Sequence, residues 1–415
     1  MNNEKLTICF SPWLVFFKNE DYYSVIKEIK EREFNCIRFD DGAGLLWDKN
    51  GNVRDDVVIR QPFGKYSENM DLHLMVDGER INILDRLLKI CRAAKKLNVK
   101  LILSSWFFLH TNWFCEECDV TPLFELSTED KIAFFANELS EILSVLRKEG
   151  LIDVVAFAEI FNEFDGLPFA SEYKEDMPKD KANRLRVLHE KELEKLKAKH
   201  PDVLFAFDTW KPDVQEEIIP RNIDVLNFHS YHIWPVYFAF QKDIVKWTLE
   251  EPEIPEETRY YLKENIITVA DVMKEMKNIR TGLEWPRRVS LYSSIDYEKE
   301  HELAKLLDKE LKDNYEHYLK KLYNVVETVM SIHDKVVPNS RIVMGEGVTY
   351  CPSYKMTFER DSEAFWEIIK EQMCLFNKKG FWGTIVATSH APGQISAWEC
   401  KDRYITVNGL FLSEK

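Results

Sequence analysis

No run in this chain approaches the roughly 18 continuous apolar residues that a membrane-crossing helix needs, so no such segment is expected. Clustered basic residues are missing too: 56 Lys and Arg stand against 71 Asp and Glu, a formal net charge of −15 over 415 residues. Nucleic acid is held by concentrated positive charge, so this balance argues against such a partner. Leu6 to Phe17 is apolar but is interrupted by Pro12, and neither a basic leader nor a small-residue cleavage site accompanies it, so no secretion signal is read. These absences predict a soluble, cytoplasmic protein. There is no internal repeat, no low-complexity tract and no Gly-rich phosphate loop after the first predicted strand, which weakens an open nucleotide-binding sheet. Cys115 and Cys118 have a metal-like spacing that His110 and Cys351 could complete if loops converged, but no second pair exists and neither zinc nor a cofactor is expected. Others of the eight cysteines, such as Cys9, Cys36, Cys374 and Cys400, fall in or near apolar segments, as reduced structural thiols do.

What the chain does have is a core: 45% hydrophobic and 31% charged residues are ordinary for a globular protein. Short β-rich apolar runs occur at 6–10, 36–40, 100–107, 154–163, 203–210, 225–232, 341–347 and 383–390. Helical spacing of apolar residues separates them at 22–33, 81–97, 128–149, 180–199 and 363–379. Eight strands alternating with helices predict a closed (β/α)8 TIM barrel of α/β class, formed by the whole chain 1–415 as one catalytic domain. Three connections are long: 41–78 after the second strand, with a hairpin signal at Asn50-Gly51, 108–127 after the third, and 233–340 after the sixth. The last contains helical stretches, notably 300–330, and is expected to be a helical insertion that narrows the cleft and offers a surface for self-association.

Two glutamates carry the chemistry. Val154-Val155-Ala156-Phe157-Ala158-Glu159-Ile160-Phe161-Asn162-Glu163 and Arg341-Ile342-Val343-Met344-Gly345-Glu346-Gly347 read as buried strands ending in carboxylates. Residues at the C-terminal ends of barrel strands share one pocket, which would bring Glu163 and Glu346 together. Hydrolysis of a glycoside needs such a pair, one carboxyl to protonate the leaving oxygen and one to act as nucleophile or to activate water. Arg38 ends a buried strand and needs a carboxylate partner, whereas Glu159, inside its strand, reads as a paired carboxylate that supports the barrel.

Phe34-Asn35-Cys36-Ile37-Arg38, Glu159-Ile160-Phe161-Asn162-Glu163-Phe164, His229-Ser230-Tyr231 and Gly345-Glu346-Gly347 resemble, in order, motifs of the retaining barrel glycosidases related to cellulases, glycoside hydrolase family 5 and its clan. The resemblance implies Glu163 as acid/base, Glu346 as nucleophile with Arg38 beside it, Asn162 on the sugar 2-hydroxyl, His229 and Tyr231 lining the site, and Trp398 as an aromatic platform. It also implies carboxyl groups roughly 5 to 5.5 Å apart. Trp106 and Trp210, at strand ends, are further candidates to stack on the apolar faces of sugar rings. The chain departs from the family pattern at Phe164, where proline is usual, at Ser105-Trp106-Phe107, where histidine is usual, and at Ala387 to Gly393. The expected substrate is a short β-linked oligosaccharide of glucose or mannose units. Two other readings stay open: a carbohydrate-binding protein without catalysis on the same barrel, and a metal-dependent sugar isomerase using Asp40, Glu163, Asp208, His229 and Glu346 as ligands.

Overall fold

A computed structural model of the chain describes residues 4–48, 50–61, 71–106, 114–116, 123, 125–167, 178–238, 253–254, 256–273, 294–349, 351, 353–386 and 392–413. The strands are β1 (Leu6–Phe10), β2 (Cys36–Asp40), β3 (Val57–Ile59), β4 (Glu79–Ile81), β5 (Lys100–Ser104), β6 (Val155–Glu159), β7 (Phe205–Thr209), β8 (Val225–Ser230), β9 (Arg341–Gly347) and β10 (Gly383–Ile385). Eight of them close into a parallel barrel in the order β1-β10-β9-β8-β7-β6-β5-β2, and β3 and β4 form a separate antiparallel pair. The expected (β/α)8 TIM barrel is the fold. Its strands read as almost continuous apolar runs because outer helices cover one face and the barrel interior the other; β1, β2, β7 and β8 are buried throughout.

The longer helices are α1 (Tyr22–Lys30), α2 (Ile83–Leu97), α3 (Thr128–Lys148), α4 (Lys179–Lys199), α5 (Glu300–Asp313), α6 (Tyr315–Val336), α7 (Glu363–Lys379) and α8 (Lys401–Leu412). Side-chain caps set several starts: Asp21, Asn82, Ser127 and Ser362 each accept a backbone N–H three residues on. Asn98 and Gly380 end α2 and α7 in the left-handed conformation. Between β7 and β8 the chain makes a single tight turn at Glu216–Ile218. The hairpin at Asn50-Gly51 forms, with Trp47 bridging Val53 in antiparallel register. In the stretch 233–340, α5 and α6 follow one another with a break at Asn314. Buried Glu359 accepts hydrogen bonds from Tyr237, after β8, and from Thr349, after β9, and so ties those two connections together. Among the described residues no helix is long and apolar enough to cross a membrane.

One irregularity decides where a functional side chain points. The β8–β9 register runs Phe228 opposite Met344 and then His229 opposite Glu346, which leaves Gly345 as an extra residue in β9. Gly345 faces the barrel interior, where a Cβ would lie 2.4 Å from Asn227 Oδ1. Strict alternation would turn the next residue outward, but the bulge lets Glu346 face inward as well. Gly347 completes the bend with a φ of +134°, where a Cβ would lie 2.2 Å from the Ser230 carbonyl oxygen. Gly345→Ala should therefore displace Asn227 and cost on the order of 1–3 kcal/mol of stability. Urea unfolding of the two proteins checks this, and an unchanged midpoint would contradict it.

Candidate active site

At the centre of the barrel lies Arg38, fully buried, with its guanidinium divided among three strands. Nε and Nη2 donate to Glu159 Oε1 at 3.1 and 2.5 Å, Nη2 also donates to Asp208 and to Asn162 Oδ1 (2.8 Å), and Nη1 donates to Glu346 Oε2 at 3.0 Å. Asn227 Nδ2 donates to the second oxygen of Glu159, Oε2 (3.0 Å), and to the same Asp208 oxygen that Arg38 holds, Oδ2 (3.1 Å). Beneath the guanidinium sits the Trp106 ring, with its centroid 4.6 Å away.

His229 links this cluster to Glu163. Its Nε2 lies 3.0 Å from an Asp208 oxygen, and its Nδ1 lies 2.8 Å from Glu163 Oε1 and 3.7 Å from Glu346 Oε2. The Tyr231 hydroxyl donates to Glu346 Oε1. One ligand atom each of Glu163, His229 and Glu346 lie within 4.8 Å of one another, so the two carboxyls face each other across the imidazole. Glu346 is buried, whereas the Glu163 side chain keeps 24% exposure and opens toward solvent. The strand β6 stops at Glu159. Glu163 therefore lies four residues beyond the strand rather than ending it, in a left-handed conformation at φ 51°, ψ 52°. That backbone is strained for a residue with a Cβ, and it is held because Phe164, next in the chain, is fully buried against the His189 and Phe207 rings.

Charge in this space is unbalanced. Two cations, Arg38 and His229, face four carboxyls, those of Glu159, Asp208, Glu163 and Glu346. Full ionisation would leave two uncompensated negative charges in a poorly solvated space, so the cluster retains protons. Burial pushes Glu159 up to about 7, against the pull of Arg38. Burial also raises Glu346, opposed by His229, Arg38 and the Tyr231 hydroxyl. For His229 burial works the other way, but Asp208 and Glu346 outweigh it and hold the ring protonated well above the ordinary imidazole range.

That protonation bears on metal binding. Glu163, His229 and Glu346 are close enough to share an ion, but an imidazolium has no free lone pair and Arg38 already occupies Glu346, so a cation would have to displace two resident positive charges. Cys115 is buried at the bridge to Ile59, and Cys118 and His110 lie outside the described residues.

The structure gathers Arg38, Asn162, Glu163, His229, Tyr231 and Glu346 into one cluster, with Trp210 at its rim, 45% exposed. Asn162 turns its Oδ1 to Arg38 and leaves its Nδ2 without a partner among the described residues, free to donate. Two expectations about tryptophan are corrected. Trp398 is not an aromatic platform: it is buried in the helix layer, stacked on Phe34 and the Arg32 guanidinium, with its Nε1–H donated to Glu28 of α1. Trp106 is 1% exposed and supports Arg38 instead of presenting a face to a sugar. Asn227 was missed, although a polar residue two positions before His229 in an otherwise apolar strand marks the same inward face.

Buried carboxyls here and elsewhere give a prediction for stability. Burial raises Asp41, Glu138, Glu159 and Glu359 to about 7 each, and lifts Asp40 well above the usual carboxylate range. Between their ordinary values near 4 and about 7 the folded chain binds protons that the unfolded chain does not, so stability is present at the acid end of this window and is lost as pH rises through 7. Melting should occur at a higher temperature at pH 5.5 than at pH 8. A thermal unfolding series in which the midpoint rises over that interval would show that these groups are not retained as acids.

The family comparison is broad in coverage. A family described as sugar-binding cellulase-like matches the chain over residues 16–398. No curated protein matches it. Among solved structures, a candidate glycoside hydrolase from Parabacteroides distasonis ATCC 8503 is similar with a TM-score of 0.68 at 15% identity, covering 98% of this chain and 93% of its own. A broad-specificity GH5-4 endoglucanase from an uncultured bacterium is similar with a TM-score of 0.52 at 8% identity, covering 98% and 94%. At these identities the likeness is one of fold.

Proposed function

The chain belongs to the sugar-binding cellulase-like family, and on that footing we propose that it is a glycoside hydrolase that cleaves short β-linked oligosaccharides by a retaining double displacement, with Glu346 as nucleophile and Glu163 as acid/base. The observation that carries this reading is the pair of carboxyls facing each other across His229 with oxygens less than 4.8 Å apart. Retaining enzymes separate their carboxyl groups by roughly 5–5.5 Å, and inverting ones by about 6.5–9.5 Å to admit a water.

In the first step Glu346 attacks the anomeric carbon while Glu163 protonates the departing oxygen. Donors from Arg38 and Tyr231 hold the attacking carboxylate in one orientation and stabilise its charge. Glu163, more open to solvent, can reach a leaving group that departs toward the pocket mouth. When Glu346 becomes a neutral ester, the imidazolium of His229 faces a Glu163 that has just given up its proton, and so stabilises the carboxylate needed to deprotonate the incoming water. Asn162 Nδ2, held by the grip of Arg38 on its Oδ1, is placed to donate to the sugar 2-hydroxyl, a bond that strengthens as positive charge develops on the ring. On this reading the whole chain 1–415 serves as one catalytic unit, and α6, within 233–340, contributes a wall beside the cleft.

The two carboxyls predict different defects. Glu346→Gln should abolish turnover of every substrate. Glu163→Ala should lose about 10²- to 10⁴-fold on sugar leaving groups, yet keep a rapid first step with an activated aryl leaving group and be rescued by azide as a β-glycosyl azide. Steady-state and burst kinetics on an aryl β-cellobioside distinguish them, and equal losses in both variants would contradict the assignment.

A further inference from the structure

Next to the two carboxyls lies a second space that their chemistry does not use. A pocket of about 390 Å³ runs outward from His229 and Tyr231, between Trp210 and Trp234, and ends against α6. That volume suits a small ligand. Trp210 is the wall on the side of Glu163: its backbone N–H donates to Asp165 Oδ1 at 2.8 Å, within the same tight turn that carries Glu163, and its ring packs over Gly166. Trp234 packs against Tyr231 with ring centroids 5.3 Å apart and the planes tilted by 51°. Because Glu163 protonates the leaving oxygen, a pocket on its side receives the leaving half of the substrate.

The far wall is the face of α6 that presents Lys321, Asn324, Val325 and Thr328, spaced three and four apart as one helical stripe. Lys321 has no carboxylate partner among the described residues; its ammonium group lies 5.4 Å from the Tyr318 ring. Burial alone pushes it below the ordinary ammonium range, without an acid to offset the shift. Beside it, His232 is buried and neutral, pushed down to about 4 by burial, and its Nε2 has no partner among the described residues. With Lys211 and a single acid, Asp213, also in the lining, the pocket carries net positive charge in a chain whose formal net charge is −15. A partly desolvated lysine without a carboxylate partner at the end of an aromatic slot is unneeded for a neutral glucan, but it complements an anion carried on a sugar ring.

We propose that this pocket binds the leaving half of the substrate and that Lys321 selects a leaving sugar bearing an anionic substituent, a carboxylate or a phosphate. The inference rests on the retaining-hydrolase reading above. Trp210 and Trp234 stack the ring, and Lys321 fixes the charged substituent while the glycosidic oxygen meets Glu163.

Three β-linked trisaccharides with the same two non-reducing units test it, their reducing-end unit being glucose, glucuronate or glucose 6-phosphate. Wild-type protein should favour at least one acidic form over the neutral one by about five-fold or more in kcat/KM, and added salt should lower that ratio. In Lys321→Met the ratio should fall to about one, and in Lys321→Arg it should persist. The acidic arm that responds identifies carboxylate or phosphate. If the neutral trisaccharide is cleaved and wild type shows no acidic preference, or if the preference survives intact in a folded Lys321→Met variant, the pocket does not select charge and this inference falls while the hydrolase reading stands. If none of the three is cleaved and aryl β-cellobioside is also inert, the hydrolase reading itself fails and takes this one with it.

Discussion

Everything in this barrel is arranged around one buried guanidinium. An ion of that size carries a desolvation cost of several kcal/mol unless its hydrogen bonds are met, and a lysine could not meet them, because a point charge cannot address several directions at fixed angles. Arg38 draws on β6 through Glu159, β7 through Asp208 and β9 through Glu346, and on the turn after β6 through Asn162. The requirement that its donors be satisfied therefore fixes the relative positions of strands that are hundreds of residues apart in sequence. The proposed nucleophile and the group proposed to hold the sugar 2-hydroxyl inherit their positions from that constraint.

Regular structure supplies the frame, and departures from it supply the chemistry. Alternation along β2, β7 and β8 places Arg38, Asp208, Asn227 and His229 inside the barrel. The two proposed reacting carboxyls are reached otherwise, Glu346 through the extra residue at Gly345 and Glu163 through a left-handed backbone beyond the strand end. Both deviations are secured by packing: Asn227 fills the space that a side chain at position 345 would take, and Phe164 anchors the turn in the aromatic cluster with His189 and Phe207. Phe164 stands where the resemblance led one to look for proline, so burial holds the turn in place of a rigid ring.

Much of the frame was legible because it is local. The runs 6–10, 36–40 and 341–347 are strands at the expected bounds, and 363–379 is a helix between a serine cap and a left-handed glycine, each announced by apolar pattern and capping residues. Arg38 and the inward face shared by His229 and Tyr231 were legible for the same reason, since charge in an apolar strand and a spacing of two are visible in sequence. The bulge was not: Gly345 in an apolar run looks like any strand residue until its neighbour across the ladder is known. Trp398 and Trp106 misled because a tryptophan at or beyond a strand end looks alike whether it meets a sugar or, as here, Arg32 and Arg38. Lys321 was invisible as a pocket residue, because one more lysine on an amphipathic helix reads as a solvated face, and only the approach of α6 to the barrel mouth gives it another setting.

The pairing of β1 with β10 has a bearing on how the molecule is made. Leu6 lies opposite Gly383, so the last seam of the barrel joins segments from near opposite ends of the 415-residue sequence. Contacts of that sequence separation reward the chain only after the entropy of closing a very long loop has been overcome, and topologies dominated by them fold slowly. Arg38 and its acids add to this, since an incomplete barrel would hold some of those charges partly desolvated and unmatched. Half-built forms are thereby disfavoured on two counts, and assembly of the barrel and completion of its charged centre become a single cooperative event.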